Sequence, residues 1–303
     1  MITLTTERGL VRIGTWSDIE TLPGFDKNID PKTVKLQSIL GKYRFADHVT
    51  CGLSTCHHKH FRGYVVVAEG GRVTNIGKDC GKTHFGVDFE TLSREFDRDL
   101  LDRERREALH AARNRVDSYA RQIDELKNAP KGGTWLNKQL KALREIGTGL
   151  PPNLCRVLDN LIRAQSNTLV RQRLASEREL EIMRETGAIA EDDKRSKVMI
   201  DEEVGLLAGL PVLYAENDIR QLLVLNLGET MGRLRKIDID SASSHELAIL
   251  TKRVSNIEPT MERCQQIIVI GQQFFARENL AQLAEITESA DDEKRAMDFA
   301  RRY

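Results

Sequence analysis

Apolar residues in the middle of the chain recur at the spacing of an amphipathic helix. Steps of three and four residues alternate through six positions, Leu109, Ala112, Val116, Tyr119, Ile123 and Leu126. This heptad pattern, in a segment otherwise rich in Arg, Asp and Glu, predicts one long helix from about residue 88 to residue 128, with Asp88 as its cap. The apolar seam either lies on a helical body or pairs with another copy in a coiled coil.

The chain beyond residue 130 also has mainly helical periodicity. Turn residues at 130–133 and 147–153 bound a short helix, and a long charged helix is predicted over 153–186. Further helices are predicted near residues 191–208, 215–234, 242–255, 258–283 and 288–303. The most apolar stretches, LLVLNL and IIVIG, are predicted to be helical and to form the buried centre of this region.

The N-terminal part has a different pattern, in which short strands alternate with turns. ITLTT and LVRIG are short candidate strands. GYVVVAEGGRVTNIG, residues 63–77, predicts a β-hairpin, because the Val run favours a strand and Gly70-Gly71 supplies the turn. The residues from Asp79 onward are predicted to be helical.

One more helix is predicted between residues 30 and 41. Asp30 is a suitable cap, Pro31 suits the first turn, and Gly41 is a suitable end. The predicted fold class is therefore α+β: a small N-terminal module of β-hairpin plus helix, followed by a mainly all-α, long-helix region. The predicted domains are the N-terminal module at 1–87, a long helix and helical hairpin at 88–150, and an all-α domain at 151–303.

The overall charge of the chain indicates no particular partner, because 46 Lys and Arg residues balance 46 Asp and Glu residues. Any such indication must come from local charge. The longest apolar run is far shorter than the roughly 18 residues of a membrane span. The N-terminus lacks the basic-then-apolar pattern of a signal peptide. These features predict a cytoplasmic protein with no membrane partner.

Residues 51–86 contain three of the five cysteines and four of the seven histidines of the chain. An odd number of cysteines without an export signal argues against a disulfide framework and favours a metal site. Two pairs have the same Cys-x3-His spacing, Cys56 with His60 and Cys80 with His84. On a helical turn this spacing places both ligands on one face, so each pair can bind one ion. Cys155 and Cys264 stand alone and are expected in the core.

Zinc, the predicted cofactor, takes four ligands in a tetrahedron, and the cluster offers more than four. One candidate set is Cys51, Cys56, Cys80 and His84. The other replaces Cys51 with His60. The first is favoured, because it leaves no local thiol unused and Gly52 permits a tight loop. A closed site of four ligands stabilises the fold and leaves no position for a substrate.

The order of these features, a ligand pair, a β-hairpin and a second pair at a helix start, resembles the treble-clef group of zinc domains. The resemblance covers residues 51–86 only. It departs from the usual form in having Cys-x4-Cys and Cys-x3-His where two Cys-x2-Cys knuckles would stand. The resemblance implies a structural zinc ion that joins the hairpin to the helix.

The same region is basic, with seven Lys and Arg residues against three acidic residues between Gly41 and Gly86. The predicted nucleic-acid contacts are Lys59, Arg62, Arg72, Lys78 and Lys82. Aromatic residues lie between them, and a helix N-terminus with nearby Lys suits phosphate. The leading prediction is therefore a non-enzymatic, zinc-stabilised protein that binds DNA or RNA, with helices that supply self-association or a partner surface.

Two alternatives remain open at this point. The first is a protein–protein adaptor or scaffold with a structural zinc site, because a basic surface also suits a protein partner. The second, minor alternative is an HNH-like, metal-dependent nuclease, suggested by the order of Asp47-His48, Asn75 and His84. That pattern departs from an HNH motif, since the cysteine pair follows Asp47-His48. No P-loop, dinucleotide or Ser-hydrolase motif is present, so no small-molecule substrate is indicated.

Overall fold

A computed structural model describes residues 2–6, 9–189 and 198–303 of the chain. The chain divides into two compact units. The first contains Met1–Arg113 and Ile237–Lys252, and the second contains Asn114–Lys236 and Arg253–Tyr303. The three predicted domains, with edges near residues 87 and 150, stay a prediction. Among the described residues, no helix is both long and apolar enough to cross a membrane.

A five-stranded antiparallel sheet forms the centre of the first unit. Its spatial order is β2-β1-β3-β4-β5. The strands are β1 at Ile2–Thr6, β2 at Gly9–Ile13, β3 at Leu36–Thr50, β4 at Lys59–Ala68 and β5 at Arg72–Gly77. The two short N-terminal strands and the hairpin predicted from the Val run are therefore confirmed.

Both faces of this sheet are covered, which explains the unbroken Val run in β4. Val65 belongs to an apolar cluster with Ile19 of the short helix α1, Trp16–Glu20. The next residue, Val66, belongs to a second cluster with Phe89 of the long helix α2, Lys78–Asn114. Successive side chains of a strand point to opposite faces, so a strand buried on both faces has no polar alternation.

The helix predicted between residues 30 and 41 is wrong. Asp30 accepts a hydrogen bond from the Lys32 amide at 2.9 Å, but it caps a turn that does not continue as a helix. Gly41 lies inside the sheet, opposite Leu4 on one side and Val65 on the other. The cap and end signals were genuine local preferences, but pairing with two neighbouring strands outweighs them, as tertiary context often does.

The predicted long helix is divided in two. Helix α2 begins at Lys78, well before the predicted cap Asp88. It bends at Gly86, where φ is 54° and ψ is −129°. It ends at Asn114, and α3, Val116–Asn128, follows. The segment 237–252 belongs to the same unit as α2, because the buried Asp102 carboxylate accepts a hydrogen bond from the Ser244 hydroxyl.

The second unit is mainly helical and contains one small antiparallel pair of strands. Its strands are β6 at Thr168–Leu174 and β7 at Met199–Leu206. The helices that follow α3 are α4 at Gly133–Leu143, α5 at Pro152–Ala164, α6 at Glu177–Glu185, α7 at Gly228–Lys236, α8 at Ser244–Ser255, which begins in the first unit, α9 at Ile257–Phe274, α10 at Arg277–Ala281 and α11 at Ala290–Ala300.

Two of the predicted helices in this unit are wrong. The segment 153–186 contains β6 between α5 and α6, and the segment 191–208 contains β7. Residues 191–197 of the second segment lie outside the described residues. TLVRQRL has neither a helical repeat nor strict apolar–polar alternation, and pairing with β7 selects the extended form of such an ambiguous pattern. The prediction that IIVIG is helical is confirmed within α9.

The heptad seam is buried inside the chain itself. Five of its six members are almost inaccessible to solvent: Leu109, Ala112, Val116, Tyr119 and Ile123. The part of the seam on α3 belongs to a helix that contacts α4, α7 and α9. The structure therefore favours a helix that lies on a helical body, and a coiled coil between copies stays an unsupported prediction.

Replacing Ile123 with Ala tests this interpretation. Ile123 is 4% exposed, so the change should lower the free energy of unfolding by roughly 2–5 kcal/mol. Because the packing is within one chain, the loss measured by chemical denaturation should be the same at low and high protein concentration. A loss that shrinks as the protein is diluted would instead place this seam in a contact between copies.

Candidate metal centre and basic cleft

Three structural elements bring the thiols together. Cys51 directly follows β3, and its amide donates a hydrogen bond to the His58 carbonyl at 2.9 Å. Cys56 closes the intervening loop through a 3.1 Å bond from its amide to the Leu53 carbonyl. Cys80 lies in the first turn of α2, which follows β5 directly. The hairpin thus returns the chain to the loop, as the sequence pattern predicts.

Glycine is required at position 52 because the loop passes very close to β5. Its amide donates to the Asn75 carbonyl at 2.9 Å, and a Cβ at this position would lie 2.0 Å from the Thr74 hydroxyl oxygen. Any larger residue would push the loop away from β5 and separate Cys51 from the other thiols. The tight loop expected from the sequence is therefore present, although packing against a strand, not a left-handed backbone, is what demands glycine.

The three sulfur atoms are arranged as a metal site requires. Their Sγ atoms all lie within 4.8 Å of one another, and those of Cys56 and Cys80 are 3.2 Å apart. Tetrahedral zinc with bonds of about 2.3 Å separates its sulfur ligands by about 3.8 Å, so the observed spacing fits. Cys51, Cys56 and Cys80 can therefore hold a metal ion.

The local electrostatics favour a first thiolate at Cys56. Burial opposes its ionisation, but hydrogen bonds from the His58 backbone and from the side chains of Cys80, His58 and His84 outweigh burial and lower the pKa of Cys56 to about 6. Burial and the neighbouring thiols raise the pKa of Cys80, and burial raises that of Cys51. A divalent cation would offset the repulsion among three thiolates held this closely.

The two histidines among the predicted ligands have different surroundings. The His84 side chain is near enough to Cys56 to help lower its pKa, but among the described residues no histidine belongs to the group of ligand atoms within 4.8 Å of one another. His60 is turned toward Tyr43, since its Nδ1 lies 3.1 Å from the Tyr43 hydroxyl and the two rings are stacked. The sequence did not favour His58, yet its Nδ1 lies 3.2 Å from the Cys56 sulfur. His84 and His58 are thus near the thiols, whereas His60 belongs to the tyrosine network.

The two remaining cysteines take no part in the cluster. Cys264 is fully buried in α9, and burial raises its pKa to about 11. Cys155 is half-buried in α5, and its sulfur lies 3.8 Å from the Leu150 carbonyl oxygen. The prediction that both lie in the core is confirmed for Cys264, whereas Cys155 is only half-buried.

A basic cleft of about 650 Å³ lies beside the thiols. Arg44, Lys59, Arg62 and Lys78 line it together with Cys80, and Asp79 is the one acidic residue in its wall. Within the described chain, Lys59, Arg62 and Lys78 form no ion pair. Three of the five predicted nucleic-acid contacts therefore converge at one place.

The other two predicted contacts lie elsewhere and are already paired. The Arg72 guanidinium lies 2.5 Å from the Asp26 carboxylate, and this bond lowers the pKa of Asp26. The Lys82 ammonium lies 3.0 Å from Glu90 of the same helix. Neither residue lines the basic cleft. The structure thus supports three of the five residues as a group and separates Arg72 and Lys82 from them.

An irregularity in β3 builds one wall of this cleft. Arg44 pairs with Arg62 and Val49 with His60, so residues 45–48 leave the regular ladder as a bulge. Bulges are enriched next to functional sites because they redirect side chains. Here the bulge brings Phe45 into the cleft. Sequence reasoning missed Phe45, and an extended strand prediction over 36–50 would have been needed to find it.

The register also places two positive charges opposite each other. Arg44 and Arg62 are directly paired across β3 and β4. Like charges at opposed positions destabilise a sheet.

A second cleft, of about 690 Å³, contains three of the four residues that suggested a nuclease, and His84 does not line it. Asp47, His48 and Asn75 all line it. However, the Asn75 amide donates to the Thr50 carbonyl at 2.8 Å and to the Tyr43 hydroxyl at 3.3 Å. These bonds occupy the amide hydrogens of Asn75 in a structural role. The HNH-like nuclease stays an untested prediction.

Comparisons of the chain with protein-family models, with curated proteins and with solved structures returned no significant match. The function must therefore be argued from the site itself: a cluster of three thiols with nearby imidazoles, next to a cleft lined by four cations.

Proposed function

We propose that the protein is a zinc-stabilised nucleic-acid-binding protein whose ligand lies in the basic cleft beside the metal centre. The observation that supports this most strongly is the convergence of Lys59, Arg62 and Lys78, none with an ion pair among the described residues, around one cavity. Cations grouped without carboxylate partners are costly to a fold and favourable to a polyanion.

Zinc is the metal we propose, held by Cys51, Cys56, Cys80 and His84. Thiolate with imidazole is a ligand set typical of structural zinc. The metal would join the loop after β3 to the start of α2, beside the apolar cluster that contains Leu53 and Phe89. Free thiols of this kind persist in a reducing compartment, so we place the protein in the cytoplasm.

The surplus of positive charge exceeds what the metal centre requires. Three thiolates and one Zn²⁺ leave a single negative charge, and one cation would balance it. Three cations of the cleft, Lys59, Arg62 and Lys78, form no ion pair among the described residues, and Asp79 is its one acid. The N-terminus of α2, at Lys78, adds the partial positive charge of a helix terminus to the same cleft. The excess therefore points to an anionic ligand outside the protein.

A protein–protein adaptor is the second candidate, favoured by exposed apolar side chains in the second unit. Leu174 and Met199 lie directly opposite each other on β6 and β7 and are 52% and 51% exposed. Ile182 of α6 is 49% exposed. A small pair of strands with apolar residues facing water is typical of a surface that meets another protein.

One titration separates the two candidates. A fluorescently labelled oligonucleotide at about 50 mM salt should bind the purified protein, and the affinity should fall steeply between about 50 and 200 mM salt because bound phosphates release counterions. Fluorescence anisotropy gives both quantities. Absence of binding at low salt, for DNA and for RNA, would reject the nucleic-acid proposal and leave the adaptor.

A further inference from the structure

We infer that the ligand is a single strand, and that Phe61 is the platform on which one of its bases stacks. This inference rests on the proposed function and specifies its substrate class. Phe61 lies on β4 between Lys59 and Arg62, and all three residues line the basic cleft. It therefore stands where a phosphate backbone would be held.

Phe61 is an accessible aromatic residue at the end of β4 that extends beyond β5. It is 46% exposed, β5 pairs with β4 only from Gly63 onward, and the bulge of β3 lies on its other side. Folding alone would favour covering this ring, since apolar area exposed to water is unfavourable. An exposed ring beside unpaired cations has the composition of a nucleic-acid surface, in which charge and aromatic area alternate.

A second ring holds Phe61 in position. The His48 imidazole lies with its centroid 3.7 Å from that of Phe61, at an interplanar angle of 32°. His48 belongs to the bulge of β3, which leaves the ladder at this point. One face of Phe61 is thereby supported by protein. A supported ring loses little conformational entropy on binding, which favours its use as a stacking surface.

Single strands fit these features better than a duplex does. Bases in a duplex are stacked on each other and present only their edges, whereas unstacked bases expose π-faces that pair with aromatic rings. The cleft is about 650 Å³, the size of a pocket for a small ligand. It suits one or two nucleotides and is lined by β4, the bulge of β3 and the start of α2.

The test compares labelled dT20 and rU20 with a 20-base-pair DNA duplex in one anisotropy assay at about 50 mM salt. Single strands should bind at least tenfold more tightly. Phe61→Leu should weaken binding of both single strands about tenfold, because stacking contributes about 1–3 kcal/mol per base, and should change duplex binding less than twofold. Phe61→Tyr keeps the π-face and should retain the affinity of the wild type.

The outcomes distinguish this inference from the proposed function. Equal or tighter binding of the duplex overturns the single-strand inference but leaves nucleic-acid binding intact. Loss of all binding in the wild type overturns both. If Phe61→Leu weakens single strands and duplex equally, the ring is not a stacking platform and the inference is wrong. An unchanged thermal midpoint of Phe61→Leu confirms that the variant is folded.

Discussion

Replacing Cys80 with Ser should abolish metal binding and destabilise the first unit. The wild type should contain about one zinc ion per chain by elemental analysis, and the variant close to none, because a hydroxyl is a far weaker zinc ligand than a thiolate. Structural zinc contributes on the order of 10 kcal/mol in small modules, so a loss of more than about 3 kcal/mol is expected in a unit that also has a buried sheet. Urea denaturation followed by circular dichroism measures it.

Cys155→Ser is the matched control for this change. It also replaces a thiol with a hydroxyl, but its sulfur lies beside the Leu150 carbonyl and away from the three-thiol cluster. It should keep the full metal content. If Cys80→Ser retains its metal, or if the wild type contains none, the three thiols do not form a metal centre.

The same measurement chooses between the two ligand sets, which share Cys56, Cys80 and His84. Cys51→Ser should lower the metal content or the zinc affinity, since the Cys51 sulfur lies within 4.8 Å of the other two. His60→Ala should leave the metal bound and disturb the hydrogen bond to Tyr43 instead. The opposite result would select the set that contains His60.

The sequence predicts the clustering of the thiols better than it predicts the elements around them. Cysteine and histidine are rare residues, so their clustering in residues 51–86 is informative even without a structure. The hairpin between them is local, with its turn at Gly70-Gly71, and local structure is what a single sequence encodes most directly. Both features need few distant contacts, and the structure has the hairpin and the three close thiols.

The parts that failed depend on distant partners. Residues 31–41 have good helix signals, yet β3 pairs with β1 from the N-terminus and with β4 from beyond the thiol loop. The segment 153–186 divides because β6 pairs with β7, some 30 residues later. The apolar periodicity of a short stretch of sequence does not show which distant strands will pair. The bulge at residues 45–48 was unpredictable for the same reason, and with it the wall of the cleft.

The same limit affects the choice of basic residues. Sequence proximity groups all five cations around the hairpin, but Arg72 lies at the turn end of β5, beside Asp26, whereas Lys78 lies at the other end of that strand. Strand length alone separates them: six residues at about 3.3 Å each span roughly 20 Å. Lys82 faces Glu90 along the helix. Only the folded chain shows which cations can contact one ligand.

Reversing two charges in the cleft should therefore nearly abolish nucleic-acid binding. The double variant Lys59→Glu with Arg62→Glu replaces two attractive contacts with two repulsive ones. We expect at least a hundredfold weaker binding at about 50 mM salt and a salt dependence of log affinity that is shallower by about two. Both side chains are exposed, so the fold should tolerate the change. Anisotropy titrations at several salt concentrations measure both effects.

The control is Arg72→Glu with Lys82→Glu, which alters the net charge by the same amount. It breaks the ion pairs with Asp26 and Glu90, which are largely exposed and so contribute little to stability. Binding should weaken less than about threefold. Because both variants change the overall field of the protein equally, a difference between them can come only from where the charges lie. Equal losses would mean that net charge, and not the cleft, determines binding.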